Sequence, residues 1–355
     1  MLETRVVYLE PGKISIKKIP LPEVKPNQVL IKSHQASICG SERYYYRGIT
    51  VRPQDEAKGG PETKLGEPRQ DGRAGHAYPM GPLGHEGGGK IVEMGSAVDE
   101  YLGGGKVRVG DNIASLVYPT FTDYWVTNIK NVQPIPRGVT HEVGCLYEPL
   151  GCAGWAALHM GVKLGDVVAI NGVGFAGNIL LQGAIKGGAS KVIAVDSSKK
   201  KLEVAKKLGA EYLIDVNEID PVVAVNEITS GEGADVAVDA VGGTGIGVVQ
   251  ALGMVRHNGI LALYGDNYMP VKEFCFNRFH ADGLDVRNLN AVHYTNLRSV
   301  ENMREAYRAV ERGVFNMDII FENSVRYSLE QIGDVFKRET EAIDQQHSLK
   351  TLIIP

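Results

Sequence analysis

The chain has 355 residues, 43% of them hydrophobic, which is long enough for two domains and sufficient to bury substantial cores. Its formal net charge is −4 with 23% charged residues, so neither nucleic acid nor an anionic membrane surface would attract it electrostatically. Met1-Leu2-Glu3-Thr4-Arg5 lacks the basic-then-apolar pattern of a secretory signal, and no stretch is apolar enough for long enough to span a bilayer. The expected setting is the cytoplasm, with small-molecule partners.

Four cysteines, Cys39, Cys145, Cys152 and Cys275, are scattered without any C-x-x-C pair. That spacing speaks against a disulfide framework and against a four-cysteine structural zinc knuckle, whose thiolates come close together. Each thiol has to be judged singly.

Along the first 150 residues, short extended runs such as Val29-Leu30-Ile31 and Asn112-Ile113-Ala114 sit among Gly and Pro, with a turn at Gly110-Asp111. They predict irregular β structure. Beyond residue 150 the texture changes, and strands are predicted at 167–171, 191–196, 212–215, 235–239, 260–264 and 284–288. Leu202, Ala205 and Leu208 recur at near-helical spacing, which predicts a helix over 199–208 with Gly209 as its stop. This alternation is the βαβ rhythm of a parallel sheet. A polar helix is predicted over 299–312, followed by an apolar run at 319–321 and a closing strand, Thr351-Leu352-Ile353-Ile354. The last segment is expected to return to the first domain, giving one domain from 1–150 with 289–355 and a second from 151–288.

Gly172-Val173-Gly174-Phe175-Ala176-Gly177 directly follows the apolar run Val167-Val168-Ala169-Ile170. The first glycine of such a turn permits a tight bend, the second lets backbone approach a pyrophosphate, and the third lets the next helix pack on the strand with its positive end toward the phosphates. In a chain with 43 glycines the pattern alone carries little. Its position does more, because Asp196 lies 19 positions past Gly177 at the end of the next strand. An acid there binds the ribose hydroxyls of NAD and repels the 2′-phosphate of NADP, while Ser197, Ser198 and Lys199 could soften that discrimination.

A second constellation runs through Cys39-Gly40-Ser41-Glu42, Gly84-His85-Glu86 and Glu148-Pro149-Leu150. A thiolate, an imidazole and a carboxylate from separated segments are the ligand types of a catalytic zinc that keeps one position open. Each also has an ordinary reading, since a lone cysteine is usually a small buried hydrophobe and a lone glutamate is usually solvated.

Taken in order with Val109-Gly110-Asp111 and the glycine turn, these motifs resemble the medium-chain dehydrogenase/reductase superfamily over nearly the whole chain. Within it the likeness is closest to the branch of polyol (sorbitol-type), threonine and glucose dehydrogenases. The resemblance implies an α/β protein, a GroES-like β-rich catalytic domain joined to a Rossmann doubly wound parallel sheet. It implies a zinc-dependent oxidoreductase that passes hydride from a secondary alcohol of polyol, sugar or hydroxy-acid type to NAD, reversibly giving a ketone. The zinc polarises the alcohol oxygen while NAD accepts the hydride.

By position, the resemblance makes Cys39 and His85 zinc ligands, Glu148 the third, directly or through water, and Glu86 an alternate that exchanges with water. Cys152 lies four positions after Glu148, the same side of a helix, and a thiolate there would also be a competent ligand. Glu148 is favoured by its Glu-Pro-Leu setting, with Cys152 read as buried. Ser41 matches the relay hydroxyl that carries the proton away, and Tyr44 stands where many relatives have a histidine. Tyr44 is therefore either a relay member or a pocket wall. Tyr45 and Trp125 match substrate-lining positions. On the cofactor side Gly172, Gly174, Phe175, Ala176 and Gly177 form the dinucleotide turn, Asp196 takes the ribose, Lys201 approaches the adenosine end, and Val241, Tyr264 and Asn290 approach the nicotinamide.

Two departures from the family matter. The stretch from Asp111 through Leu116 to Trp125 lacks the cysteine-rich lobe that holds a structural zinc in many members, so one catalytic zinc per subunit is expected. Residues 47–82 form a longer connection than usual, rich in Gly, Pro and charge, with Arg52, Arg69 and Arg73; such loops are lids or decoration, and the arginines could meet an anionic substrate. Homodimers or homotetramers built through the Rossmann sheet edge, near 252–263, are common in the family. Competing readings are a zinc-free quinone or enoyl reductase using NADPH, and a non-catalytic NAD-binding protein.

Overall fold

The computed structural model describes residues 3–10, 12–47, 83–115, 119–267, 276–290, 297–341 and 348–355. All but the first residue of the candidate lid at 47–82, with Arg52, Arg69 and Arg73, together with Cys275 and the side chains of Tyr44 and Tyr45, lie outside them.

Seven strands come first: β1 (Glu3–Glu10), β2 (Lys13–Pro20), β3 (Gln28–Ser37), β4 (Glu86–Met94), β5 (Asn112–Ser115), β6 (Tyr124–Asn128) and β7 (Val132–Pro134). Six follow beyond residue 150: β8 (Val167–Asn171), β9 (Lys191–Asp196), β10 (Tyr212–Asp215), β11 (Ala234–Asp239), β12 (Val255–Leu263) and β13 (Asp285–Asn288). Two close the chain, β14 (Val325–Ser328) and β15 (Thr351–Ile354).

β8 to β13 form one parallel sheet in the order β10-β9-β8-β11-β12-β13, the doubly wound arrangement expected of the βαβ rhythm. Its central strands read as unbroken apolar runs, such as Val168-Ala169-Ile170, because helices cover both faces. β3 is the hub of the other large sheet, in the order β14-β15-β3-β4-β5-β7 with β6 also paired to β3. Val29, Leu30 and Ile31 are consequently all buried.

Register in this sheet brings distant segments together. Ser37 faces Glu86 across β3 and β4, and Leu352 faces Ser37 across β15 and β3. Lys350, just ahead of β15, thus arrives beside Glu86.

The predicted helix over 199–208 is present as Lys199–Lys207, started by the Ser198 side chain, which accepts the Lys201 N–H. The polar helix spans Leu297–Glu311, and the apolar run 319–321 lies in a short helix, Met317–Glu322, capped by Asn316. β14 and the helix Pro221–Ile228, capped by Asp220, have no counterpart among the predicted elements.

The helix Tyr147–His159 runs across residue 150 and presses on Leu297–Glu311. A Cβ at Gly151 would meet Met303 Cγ at 2.8 Å and one at Gly154 would meet the Ala306 Cβ at 2.9 Å, so small residues set this spacing. Forcing a methyl in would cost roughly 1–3 kcal/mol by overpacking. The same helix carries Glu148 and Cys152 at (i, i+4) spacing, on one side. Among the described residues no helix is long and apolar enough to cross a membrane.

Candidate active site

Cys39 lies two residues past the end of β3 and leads into the helix Gly40–Tyr46, whose first turn carries Glu42. Glu42 is fully buried and does two jobs: one carboxylate oxygen accepts the Cys39 N–H at 3.0 Å, and the other stands 3.1 Å from His85 Nδ1. His85 and Glu86 sit at the head of β4, after Gly84 in the left-handed region (φ +99°), where a Cβ would come 2.6 Å from Thr120 Oγ1. Ligand atoms of Cys39, His85 and Glu86 all lie within 4.8 Å of one another.

Around this trio the polar groups are deeply buried. The Glu86 carboxylate accepts from Lys350 Nζ at 2.6 Å and from the Ser37 hydroxyl. Burial alone would raise its pKa, but Lys350 and His85 together hold it below the usual carboxylate range. Lys350 responds in kind: burial opposes its charge, yet Glu86 and Cys39 keep the ammonium above its ordinary value. Glu148 differs. Burial, with Glu86 adding to it, pushes its carboxyl upward against the pull of His85, and the Cys152 thiol reaches it at 3.5 Å. Burial and then Glu148 drive the Cys152 thiol well above its usual range.

The donor chemistry suits a divalent cation. Cys39, Glu86, Glu148 and Cys152 are gathered around a single ammonium and one imidazole, an excess of buried acid that a bound dication would neutralise.

The second half of the site lies along the C-terminal ends of the parallel strands, where open α/β sheets bind ligands. After β8, Gly172 takes φ +93° with a would-be Cβ 2.9 Å from the Ala240 carbonyl carbon, and one at Gly177 would stand 1.8 Å from the Gly172 oxygen. At Gly174 there is nothing within 4 Å, so the turn opens there into space at the head of the helix Phe175–Lys186. A dinucleotide phosphate fits this cradle. At the end of β9, Asp196 accepts the Val173 N–H at 3.0 Å and the Ser198 N–H at 2.9 Å, which fixes its carboxylate beside the turn. Val241 follows β11, half-exposed, its N–H held by Asp239. Tyr264 follows β12, and the exposed Asn290 follows β13. Lys201 lies in the first turn of the helix after β9, and Ala176 beside Phe175 in that after β8.

Trp125 is placed elsewhere than expected. It is 3% exposed, pairs with Ile31 across β6 and β3, and belongs to a core cluster with Val29, Ile91 and Val132, leaving no surface for a substrate. Ser41 is half-buried at the start of the helix Gly40–Tyr46, two residues from Cys39. Two residues of the site were given no role by the sequence reading. Glu42 lay inside the quoted Cys39-Gly40-Ser41-Glu42 run, and Lys350 was visible as a lone charge at the edge of an apolar closing strand, a pattern that asks for a buried partner.

The sequence pattern of the family described as zinc-binding dehydrogenase matches residues 176–312. Sorbitol dehydrogenase of Bacillus subtilis (strain 168) is 27% identical over 97% of this chain and 94% of its own length. L-threonine 3-dehydrogenase of Bacillus licheniformis is 26% identical over 98% of this chain and 96% of its own. Over nearly its whole length the chain is similar to these sorbitol- and threonine-type dehydrogenases. A solved structure from Sinorhizobium meliloti 1021, described there as a zinc-binding dehydrogenase and bound to NADP, superposes over the full length of both chains with a TM-score of 0.78 at 23% identity. That likeness is one of fold, the GroES-like domain with a parallel nucleotide-binding sheet. The relatives that match over nearly the whole chain are dehydrogenases, which supports an oxidoreductase of the alcohol dehydrogenase class.

Proposed function

We propose that the protein is a zinc-dependent, NAD-linked dehydrogenase that oxidises secondary alcohols of polyol or sugar type to ketones. The observation that carries this reading is the approach of Cys39, His85 and Glu86 to within 4.8 Å, beside a dinucleotide turn whose acid is Asp196.

Cys39 and His85 would hold the ion, with Nε2 as the ligand atom of His85 because Nδ1 faces Glu42. Two carboxylates compete for the third place. Glu86 is inside the trio, but its charge is shared with Lys350 and Ser37, whereas among the described residues Glu148 meets only the Cys152 thiol. We therefore assign Glu148 as the resident carboxylate and Glu86 as the alternate. A zinc ion bound there would supply Lewis acidity to the substrate hydroxyl, and NAD would be the hydride acceptor.

The chain's own residues do the rest. Asp196, oriented by two backbone N–H groups, would accept the ribose hydroxyls and disfavour a 2′-phosphate. Glycines 172, 174 and 177 let the pyrophosphate reach the helix N-terminus. Ser41 is assigned to take the proton released as the carbinol carbon gives up hydride, so that alcohol plus NAD yields ketone, NADH and one proton. Copies of the chain are proposed to join as dimers or tetramers through β13, the edge strand beside β12 and the 252–263 stretch; β10 forms the sheet's other edge.

Zinc analysis of the purified protein, followed by NADH absorbance on sorbitol, threonine and simple secondary alcohols with NAD or NADP, tests the reading. Stoichiometric zinc lost in Cys39→Ala, with NAD-dependent oxidation, is expected. A metal-free protein that reduces quinones with NADPH would replace this reading with the zinc-free reductase.

A further inference from the structure

Three pairs of chain neighbours meet at the metal site: Glu42-Arg43 in the helix Gly40–Tyr46, His85-Glu86 at the head of β4, and Lys350-Thr351 where β15 begins. Glu42 stands 3.1 Å from His85 Nδ1, and Glu86 stands 2.6 Å from Lys350 Nζ. Between Arg43 and Thr351 lies Glu339, in the helix Ile332–Glu341. Its Oε2 pairs with Arg43 Nη2 at 2.8 Å, and its Oε1 accepts the Thr351 hydroxyl. The contacts therefore close into a ring, and Glu339 reaches the Cys39, His85 and Glu86 trio by two routes. Glu42, His85, Glu86, Glu339, Lys350 and Thr351 are all buried, so water competes little for these contacts.

The first route runs through a helix that needs outside support. Gly40–Tyr46 has only seven residues, too few to hold an orientation by its own hydrogen bonds. Its ties go to Ile332–Glu341: the Arg43–Glu339 pair, the Tyr46 ring 5.9 Å from that of Phe336, and Arg47 Nη2, which donates to the Thr340 carbonyl at 2.6 Å. Glu42 and Arg43 leave the helix about 100° apart. Fixing Arg43 on one side thus fixes the angle at which Glu42 leaves on another, where its two oxygens meet the Cys39 N–H and His85 Nδ1.

The second route runs through Thr351. Its hydroxyl is held by Glu339, and its carbonyl accepts the Ile38 N–H at 3.0 Å. Ile38 precedes Cys39 and Lys350 precedes Thr351. One residue therefore seats both the backbone that leads to Cys39 and the ammonium that faces Glu86.

We propose that Glu339 is a positioning residue for the metal site, aiming Glu42 at Cys39 and His85 through Arg43 and seating Lys350 beside Glu86 through Thr351. The inference rests on the zinc dehydrogenase reading above. Glu339 touches neither the trio nor a substrate, and it acts through the side chains that do.

The test measures the site apart from the fold. Glu339→Gln withdraws the Arg43 route while its amide oxygen can still accept the Thr351 hydroxyl. The double variant Arg43→Met/Glu339→Gln removes the pair without stranding the guanidinium, and carries the test if the single variant unfolds. Both should bind zinc about 3- to 10-fold more weakly than wild type in competition with a chromophoric chelator. With cobalt(II) in place of zinc, the ligand-field and thiolate charge-transfer bands should shift in both, because they read geometry at the ion and not the stability of the fold. In a Glu42→Ala background the further loss from Glu339→Gln should shrink to within about 2-fold, since the route through Glu42 is already cut. Lower unfolding temperatures with wild-type zinc affinity and an unshifted cobalt spectrum would overturn the proposal and leave the Arg43–Glu339 pair as scaffold. An undiminished loss in the Glu42→Ala background would overturn it as well, because Glu339 would then act without Glu42. Indifferent variants of a zinc-binding wild type sink only this inference, whereas a wild type that takes up no zinc would sink the zinc dehydrogenase reading itself.

Discussion

Lys350 Nζ stands 2.6 Å from Glu86 Oε2, and both side chains are sealed from solvent. The two residues are far apart in the chain and meet because β15 and β4 flank β3 on either side. The Lys350 ammonium also lies 5.1 Å from the centroid of the Phe175 ring, so the closing strand is tied to the helix that opens the dinucleotide turn. Lys350→Met would leave Glu86 buried without its counter-charge, at a cost of about 3–5 kcal/mol. Pairing it with Glu86→Gln should recover much of that loss, because the amide can still bond Ser37 and no charge is stranded. Thermal unfolding of both variants checks this, and a K350M protein as stable as wild type would refute it.

Glu42 holds the backbone of one candidate metal ligand and the imidazole of another. Removing it in Glu42→Ala should loosen zinc by about 10- to 100-fold, as losses of such supporting carboxylates do, with Glu42→Gln in between. Competition with a chromophoric chelator reads the affinity directly. Equal affinity in all three proteins would show that His85 is oriented by its surroundings alone.

How much of this could be read in advance varies with the range of the interactions. The parallel sheet was legible because β8 to β11 are local apolar runs, each bounded by its own turn residues, and the glycine turn and Asp196 fall within one βαβ unit. Cys39, His85 and Glu86 were legible as residue types, but their approach depends on the β3 to β4 pairing, which spans 49 positions between Ser37 and Glu86. Lys350 escaped because nothing local to Ser348-Leu349-Lys350 names its partner. Trp125 went astray for a related reason: an aromatic on a short strand packs a core or lines a pocket according to which face the register turns inward.

The glycines of the dinucleotide turn separate fold from binding. At Gly177 a methyl would collide with the Gly172 carbonyl at 1.8 Å, whereas at Gly174 it would meet no protein atom within 4 Å. Gly177→Ala should therefore lower the unfolding temperature and abolish NADH binding together. Gly174→Ala should keep the unfolding temperature within about 2 °C, since its methyl touches nothing, yet weaken NADH at least about 10-fold because the methyl stands where the pyrophosphate must come. Fluorescence titration beside a thermal melt distinguishes the two losses. Undiminished NADH binding by Gly174→Ala would mean that the dinucleotide lies elsewhere.

His34 and His141 are stacked, ring centroids 4.1 Å apart and planes 16° from parallel. Burial first, and then the neighbouring His34, lower the His141 pKa; Lys90 acts in the same sense, while Glu142 and a backbone contact at Gly89 oppose it. Its Nε2 has no partner among the described residues, so a proton placed there gains no hydrogen bond. The sign follows from which state binds the proton. Unfolded His141 titrates near its ordinary value of about 6.5, the folded residue below it, so the unfolded chain takes up the proton first as pH falls. Stability contributed by keeping His141 neutral is intact above about pH 7 and is lost progressively as pH drops through 6.5 toward the folded value. His34→Gln removes one of the repelling charges and raises the folded value toward the unfolded one. Loss of the stacked ring itself is felt equally at both ends of the range, so the difference between pH 7.5 and pH 5.5 isolates the charge. The drop in unfolding temperature between those two values should be smaller in H34Q than in wild type, and an identical drop would show that His34 does not govern His141.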